Sequence, residues 1–392
     1  MKGCFFDPKH GFVRAELKKD GLRIIPGSVL QGDPPEGWWW SPPFVDLYAF
    51  LPDPGYEYRE DRQSFSNAAY AGGYGAVMCR PETRPVIDNA SMAMDFIGSG
   101  HKETRIIPLP AFSIGLKGVN MSELGDIAGL DDVWGVTHGE TPVRSDLFLR
   151  HVMEYARNFG LTVLLTPYHG ELDRGIVNEG VIAARLGLDT DSRAGEEIAI
   201  NRYLVLARLT RARLHIAKVS TAGGVELIRQ AKARGVDVTA SVAFYNLILT
   251  DREMQTFDQD LVVKPPLRSE HDRQALLQGL RDGTIDAVVS DHTPVSVNEK
   301  QMELAFTLPG MVGLEFVFPV LMDLVNQGDL TIKDVMRVLI TGPMSISGVA
   351  PSGLLRMERT ADAGPVTIRS KSRNTPFRDR QFSAGVKWVA VY

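Results

Sequence analysis

Between Phe44 and about Ala350, short apolar runs alternate with segments whose apolar residues recur every three to four positions. That alternation predicts strands followed by amphipathic helices. Residues 161–165, 214–217 and 236–243 read as strands. The stretch from Thr221 to Arg234 predicts a helix with Val225, Leu227, Ile228 and Ala231 on its apolar side, and Gly235 stops it. Ser269-Glu270-His271-Asp272 reads as a capping box opening a helix that turns Leu276, Leu277 and Leu280 inward and closes at Gly283. Residues 285–290 then predict a strand that ends at Asp291. Strand–helix units repeated over roughly 300 residues predict an α/β fold, a (β/α)8 barrel. A doubly wound open sheet fits the pattern too, but no Gly-rich dinucleotide turn supports it.

The ends of the chain differ from its middle. Leu22-Arg23-Ile24-Ile25 is a strand candidate and Asp33-Pro34-Pro35-Glu36-Gly37 a loop. Trp38-Trp39-Trp40 reads as core or domain-junction packing, with an exposed partner patch as the sharper alternative. Residues 351–392 carry few helix signals and end in a strand over 386–391. Residues 1–43 and 351–392 are therefore expected to form one small β domain on a barrel of residues 44–350. A length of 392 residues suits that division. The net charge of −5 argues against a dedicated nucleic-acid surface. There is no apolar run near 18 residues and no apolar signal core in the first ten positions, so neither a membrane span nor a leader is expected. Cys4 and Cys79 alone suit a reduced cytoplasm. No two of the eight histidines sit at zinc-ligand spacing.

The stretch Phe44-Val45-Asp46-Leu47-Tyr48-Ala49-Phe50-Leu51-Pro52-Asp53-Pro54-Gly55 resembles the opening strand of the dihydroorotase family. So do Ala71-Gly72-Gly73 and Arg84-Pro85-Val86-Ile87-Asp88-Asn89 in order, then Leu116-Lys117-Gly118 and Asn178-Glu179-Gly180. The likeness continues through His215-Ile216-Ala217-Lys218-Val219-Ser220-Thr221, Pro265-Pro266-Leu267-Arg268-Ser269-Glu270, Ser290-Asp291-His292-Thr293-Pro294 and Lys371-Ser372-Arg373-Asn374-Thr375-Pro376-Phe377. The resemblance covers almost the whole chain. It implies a zinc amidohydrolase framework, and it shows which groups are replaced. The family's His-x-His pair falls at Tyr48 and Phe50, its third metal histidine at Thr166 and its fourth at Lys218. His169 lies three residues past Thr166 and is expected to point elsewhere. The bridging ligand has no secure match, the nearest stretch being Gly135-Val136-Thr137-His138-Gly139. Only the catalytic aspartate is kept, as Asp291. The family's substrate-binding positions fall at Pro52, Glu82, Lys264 and Val295.

Zinc takes about three protein ligands, and without it water is not activated. The replacements therefore imply no zinc and no catalytic or substrate-binding residues, only vestigial positions. Val242-Ala243-Phe244-Tyr245-Asn246-Leu247-Ile248-Leu249-Thr250-Asp251 resembles the non-catalytic dihydroorotase-like chain found with some bacterial aspartate carbamoyltransferases, where active members carry a His-His pair. That resemblance implies a structural partner of the transcarbamoylase catalytic chain in pyrimidine biosynthesis, and a homo-oligomer. Other readings are a metabolite binder, a hydrolase with a relocated metal, or a lyase using Lys218 as a Schiff-base lysine.

Barrel strands deliver their C-terminal residues to one mouth, so Tyr48, Phe50, Thr166, Lys218 and Asp291 are expected to meet there. Lys218 and Asp291 are expected to pair as ions, because a buried carboxylate without a partner is costly. Both groups solvated in an open cleft is the plainer alternative. Ser290-Asp291-His292 contains triad letters, but strand neighbours face opposite sides and cannot relay among themselves. His292 and His215 read as structural histidines, Glu196-Glu197 as a solvated helix face, and Asn374-Thr375-Pro376-Phe377 as a turn near the domain junction.

Overall fold

The computed structural model describes residues 2–18, 21–30, 32–34, 37–97 and 104–389, with backbone alone over 360–363. Pro35 and Glu36 of the expected loop and positions 390–391 of the expected last strand lie outside the described residues. The strands in chain order are β1 Lys2–Asp7, β2 Gly11–Lys18, β3 Gly21–Val29, β4 Trp38–Ser41, β5 Phe44–Ala49, β6 Tyr74–Cys79, β7 Arg105–Pro108 and β8 Gly135–Thr137. They continue as β9 Thr162–Leu165, β10 Val177–Asn178, β11 Thr190–Asp191, β12 Leu214–Ile216, β13 Val238–Ala243, β14 Ala287–Val289, β15 Leu355–Pro365 and β16 Gln381–Trp388.

Eight of these close a parallel barrel. β5, β6 and β7 pair in order, and β8, β9, β12, β13 and β14 pair in order. Two seams join the sets. Phe112 N donates to Thr137 O between β7 and β8, and Phe50 N donates to His292 O between β5 and β14. The period-two geometry of strands explains how the barrel fills. Ala76 and Met78 of β6 join Val45, Leu47, Ile107 and Leu164 in the interior cluster. Val77 and Cys79 of the same strand face the helices instead. Because both faces are covered, β5, β6, β9 and β14 are buried along their whole length, as parallel strands require.

Helix signals in the sequence correspond to local physics. Thr221 caps the helix Ala222–Ala233 by accepting from Gly224 N. Ser269 and Asp272 form the capping box of the helix Glu270–Asp282, whose Leu276, Leu277 and Leu280 are buried and whose C-cap Gly283 is left-handed at φ 79°.

Both termini build one six-stranded sheet in the order β16-β15-β4-β1-β2-β3. The tryptophan run supplies its centre as packing rather than as an exposed patch. Trp39 and Trp40 are fully buried. Alternation sends Trp39 toward the barrel side, edge-on to Phe12, and Trp40 to the opposite face with Trp38.

One expectation is overturned. Glu196 is not on a solvated face: it is 3% exposed. Its carboxylate accepts from Ser220 N at 2.8 Å and Thr221 N at 2.9 Å, and from both hydroxyls. Arg268 lies 3.9 Å away and binds Asp191 at 2.6 Å. Ion pairing and four donors outweigh the cost of burying the charge. This clamp ties β11, the helix Arg193–Thr210 and the loop after β12 together beneath the mouth.

Candidate functional site

The C-terminal ends of the barrel strands surround a cavity of about 250 Å³ whose lining includes Phe50, Arg80, Glu82, Glu140, Lys218, Lys264, Asp291, Thr293 and Val295. The centre is Lys218. It follows β12 in a left-handed backbone conformation at φ 58°, and Asp291 follows β14 at φ 43°. Non-glycine residues adopt that region rarely, so the surroundings hold both ends in place. Lys218 Nζ lies 2.7 Å from Glu140 Oε1 and 3.1 Å from Asp291 Oδ1, and donates to Lys264 O at 2.7 Å. The ammonium thus meets three acceptors. At 2% exposure Lys218 is buried, so the solvated-cleft alternative does not describe it.

A layer of aromatic and charged groups encloses this bridge. Tyr48 OH donates to Glu140 Oε1 at 3.0 Å and Tyr245 OH donates to Asp291 Oδ2 at 2.6 Å. Burial pushes both phenols well above their usual range, and the nearby carboxylates add to the shift. Both therefore remain donors. Burial raises the Asp291 carboxyl even though Lys218 opposes it. Burial also works to raise Glu140, but Lys218 and Arg80 outweigh it and hold this carboxyl down at about 2. Arg80 Nη1 is 3.1 Å from Glu82 Oε1, and its guanidinium lies 4.4 Å over the Phe50 ring. Glu140 N also donates to Glu82 Oε1, at 2.6 Å. Gly139 makes that approach possible: its φ is 57°, and a Cβ there would meet Glu82 Oε1 at 2.0 Å.

Tyr48, Phe50, Lys218 and Asp291 converge on the mouth. Thr166 is buried and does not line the cavity; its hydroxyl donates to Gly139 O at 2.7 Å. Glu82, Lys264 and Val295 line the cavity, and Lys264 Nζ sits 4.3 Å over the Tyr168 ring. Pro52 does not line it: it is buried, and its carbonyl accepts from Tyr56 N in the turn that follows β5. His169 lies off the cavity, with its backbone N bound to Asp173 at 2.9 Å. His138 turns away, between Ser113 Oγ at 2.9 Å and Thr141 O at 2.7 Å. Its neighbour Glu140 enters the mouth instead. The letters Ser290-Asp291-His292 diverge. Ser290 donates to Asp46, Asp291 meets Lys218, and His292 Nδ1 accepts from Gly313 N at 3.2 Å. His215 is a packed histidine held between Thr239 and Ser241, with burial pushing it down to about 3. Asn374 pins the loop after Asp291, accepting from Val295 N at 3.1 Å and donating to Thr293 O at 3.0 Å.

Arg80, Glu140, Tyr168 and Tyr245 are the mouth residues that the sequence reading missed. A usable signal existed: all four lie within three residues of the end of a barrel strand, the position from which side chains reach the mouth.

The zinc that the dihydroorotase resemblance implies does not fit these residues. A phenol, a phenyl ring, a hydroxyl and an ammonium stand at the four histidine positions. Among the described residues no three His, Cys, Asp or Glu side chains converge on a possible ion. The Lys218 ammonium fills the place between Glu140 and Asp291 that a cation would need.

No family model matches the chain. The chain is 39% identical over 352 residues to the dihydroorotase of Syntrophobacter fumaroxidans, covering 86% of this chain and 80% of that protein. It is 38% identical to the dihydroorotase of Syntrophotalea carbinolica, covering 96% of this chain and 93% of the relative. The fold is that of the L-hydantoinase of Arthrobacter aurescens, with a TM-score of 0.77 at 20% identity over 97% of this chain and 91% of the other. A dihydropyrimidinase from Brevibacillus agri superposes with a TM-score of 0.78 at 16% identity, covering 100% of this chain and 94% of that one. The barrel with its terminal β domain is thus shared with these amidohydrolases, and the sequence identity places the chain in the dihydroorotase family.

Proposed function

We propose that this chain is a catalytically silent dihydroorotase homologue that serves as a structural partner of aspartate carbamoyltransferase. The observation that carries the silent half is the Lys218 bridge, an ammonium shared by Glu140 and Asp291 at 2.7 and 3.1 Å. Hydrolysis of a cyclic amide by the family's route needs a metal-bound water and a free aspartate to move its proton. Here the aspartate is held by Lys218 and Tyr245, and the ligand positions carry no zinc donors. Schiff-base chemistry is disfavoured because Lys218 Nζ is engaged by Glu140, Asp291 and Lys264 O rather than free for a substrate carbonyl. The partner half rests on the segment Val242-Ala243-Phe244-Tyr245, which resembles the non-catalytic chain found with some bacterial transcarbamoylases. In this fold that segment ends β13 and delivers Tyr245 to Asp291, which links the resemblance to the plugged mouth.

Co-expression with the same organism's transcarbamoylase chain tests the proposal by size exclusion with light scattering and a transcarbamoylase assay. One large complex, more active or more heat-stable than the transcarbamoylase alone, is expected. Separate elution with unchanged activity contradicts the partnership.

A further inference from the structure

On the outside of the barrel, the helix Arg193–Thr210 runs beside the helix Ala222–Ala233 and leaves a trough of about 270 Å³ between them. Leu204 and Val205 line one side and Leu227 and Ala231 the other, while Arg208 and Arg234 stand at its rim. The first helix also carries an exposed apolar stripe: Ile198 is 47% exposed, Val205 47% and Leu209 59%. Spacings of seven and four keep these three on one side of a helix. Asn201 and Gln230 also line the trough, so its surface is mixed; a single exposed apolar residue needs no explanation, but a stripe beside such a trough does. The helices Ala222–Ala233, Glu270–Asp282 and Val317–Asn326 expose no large apolar side chain among the described residues, whereas Asp146–Asn158 exposes Leu147 and Tyr155.

Charge says what covers it. Arg202 pairs with Asp146, and Arg229 with Glu226 and Asp282. Among the described residues Arg208 and Arg234 have no carboxylate partner. In a chain of net charge −5, two guanidinium groups without carboxylate partners at the rim of a mixed trough call for carboxylates from outside. A second copy related by a two-fold axis would bring its own two arginines against these, which disfavours self-pairing.

We infer that this trough seats an amphipathic helix of a partner chain, its apolar face in the trough and its flanking carboxylates on Arg208 and Arg234. This is a helix-in-groove mode of recognition. It rests on the proposed function for the identity of that chain, the transcarbamoylase.

The test has two arms on the full-length protein. In the first, a labelled helical peptide with leucines at i, i+3, i+4 and i+7 and glutamates on both flanks is titrated by fluorescence anisotropy. Saturable binding is expected, weaker at high salt and at least tenfold weaker for Arg208→Glu/Arg234→Glu, with the distant Lys333→Glu variant unchanged. Absence of binding, or equal binding by the reversed variant, overturns the inference. In the second arm the same variants are co-expressed with the transcarbamoylase. Loss of co-elution for Arg208→Glu/Arg234→Glu alone supports the seat. Co-elution of every variant overturns the seat and leaves the partnership standing. Failure of the unmodified chain to co-elute, with the peptide still bound, removes the partnership and leaves the trough's chemistry standing. A dimer of the unmodified chain that Val205→Glu dissolves makes the occupant a second copy and overturns the inference.

Discussion

Replacing Lys218 with methionine is expected to lower the unfolding free energy by about 3–5 kcal/mol at pH 8, the cost of breaking a buried ion pair from one side. Methionine nearly matches the lysine stem in size, so packing is not the cause of the loss. What remains is a fully buried Asp291 and a Glu140 that have lost their shared ammonium. The loss is expected to shrink at pH 5. Burial already raises the Asp291 carboxyl, and without Lys218 to oppose that, it takes a proton in mild acid and ceases to be a buried charge. Adding Asp291→Asn to Lys218→Met is expected to recover part of the loss at pH 8. Urea melts at the two pH values measure all of this. A Lys218→Met protein as stable as the parent at pH 8 shows that the bridge does not hold the mouth together.

A second large effect is expected from Asp46, on β5 two residues before Tyr48. This carboxylate is fully buried and accepts from Ser290 N at 3.2 Å and Tyr48 N at 3.2 Å. Burial outweighs those hydrogen bonds and raises it to about 7. The folded chain therefore keeps this proton until about pH 7, whereas the unfolded chain releases it near pH 3.9. Between those values the folded state binds more protons, so this group lowers stability as pH rises, with its full penalty above pH 7. From pH 5 to pH 8 the contribution is at most about 3 kcal/mol, two units at 1.36 kcal/mol each. His215 acts in the other direction. Held down at about 3, it makes the fold more stable as pH rises toward 6.5. The prediction is therefore a difference: urea midpoints of the parent should fall relative to Asp46→Asn as pH goes from 5 to 8. Parallel pH profiles for the two proteins contradict it.

Much of the fold is legible in the chain because its determinants are local. The Ser269 capping box, the Thr221 cap and the left-handed Gly283 each fix a boundary through contacts with residues two to four positions away. Apolar strand runs announce burial on both faces, and the repeat of units announces the barrel. The mouth is legible only in part. Tyr48, Phe50, Lys218 and Asp291 stand out through the family motifs around them. Glu140 belongs to no motif that fixes its register, and the left turn at Gly139 that carries it inward is a tertiary choice, favoured by Glu82 accepting its N–H. Glu196 fails for a related reason. Glu196-Glu197 reads as surface by composition, but the donors that bury Glu196 come from Ser220 and Thr221, 24 and 25 residues away. Arg208 and Arg234 show the converse limit, since a sequence does not reveal which charged residues end up without a partner.

At the barrel mouth the Lys218 ammonium stands between Glu140 and Asp291, where the resemblance implies zinc. Plasma-emission metal analysis of the gel-filtered protein, paired with a dihydroorotate hydrolysis assay in added zinc, tests that most directly. Zinc well below one per chain, with hydrolysis no faster than in buffer, is the predicted result. Stoichiometric zinc that survives gel filtration, together with zinc-dependent hydrolysis that Asp291→Asn abolishes, would contradict it.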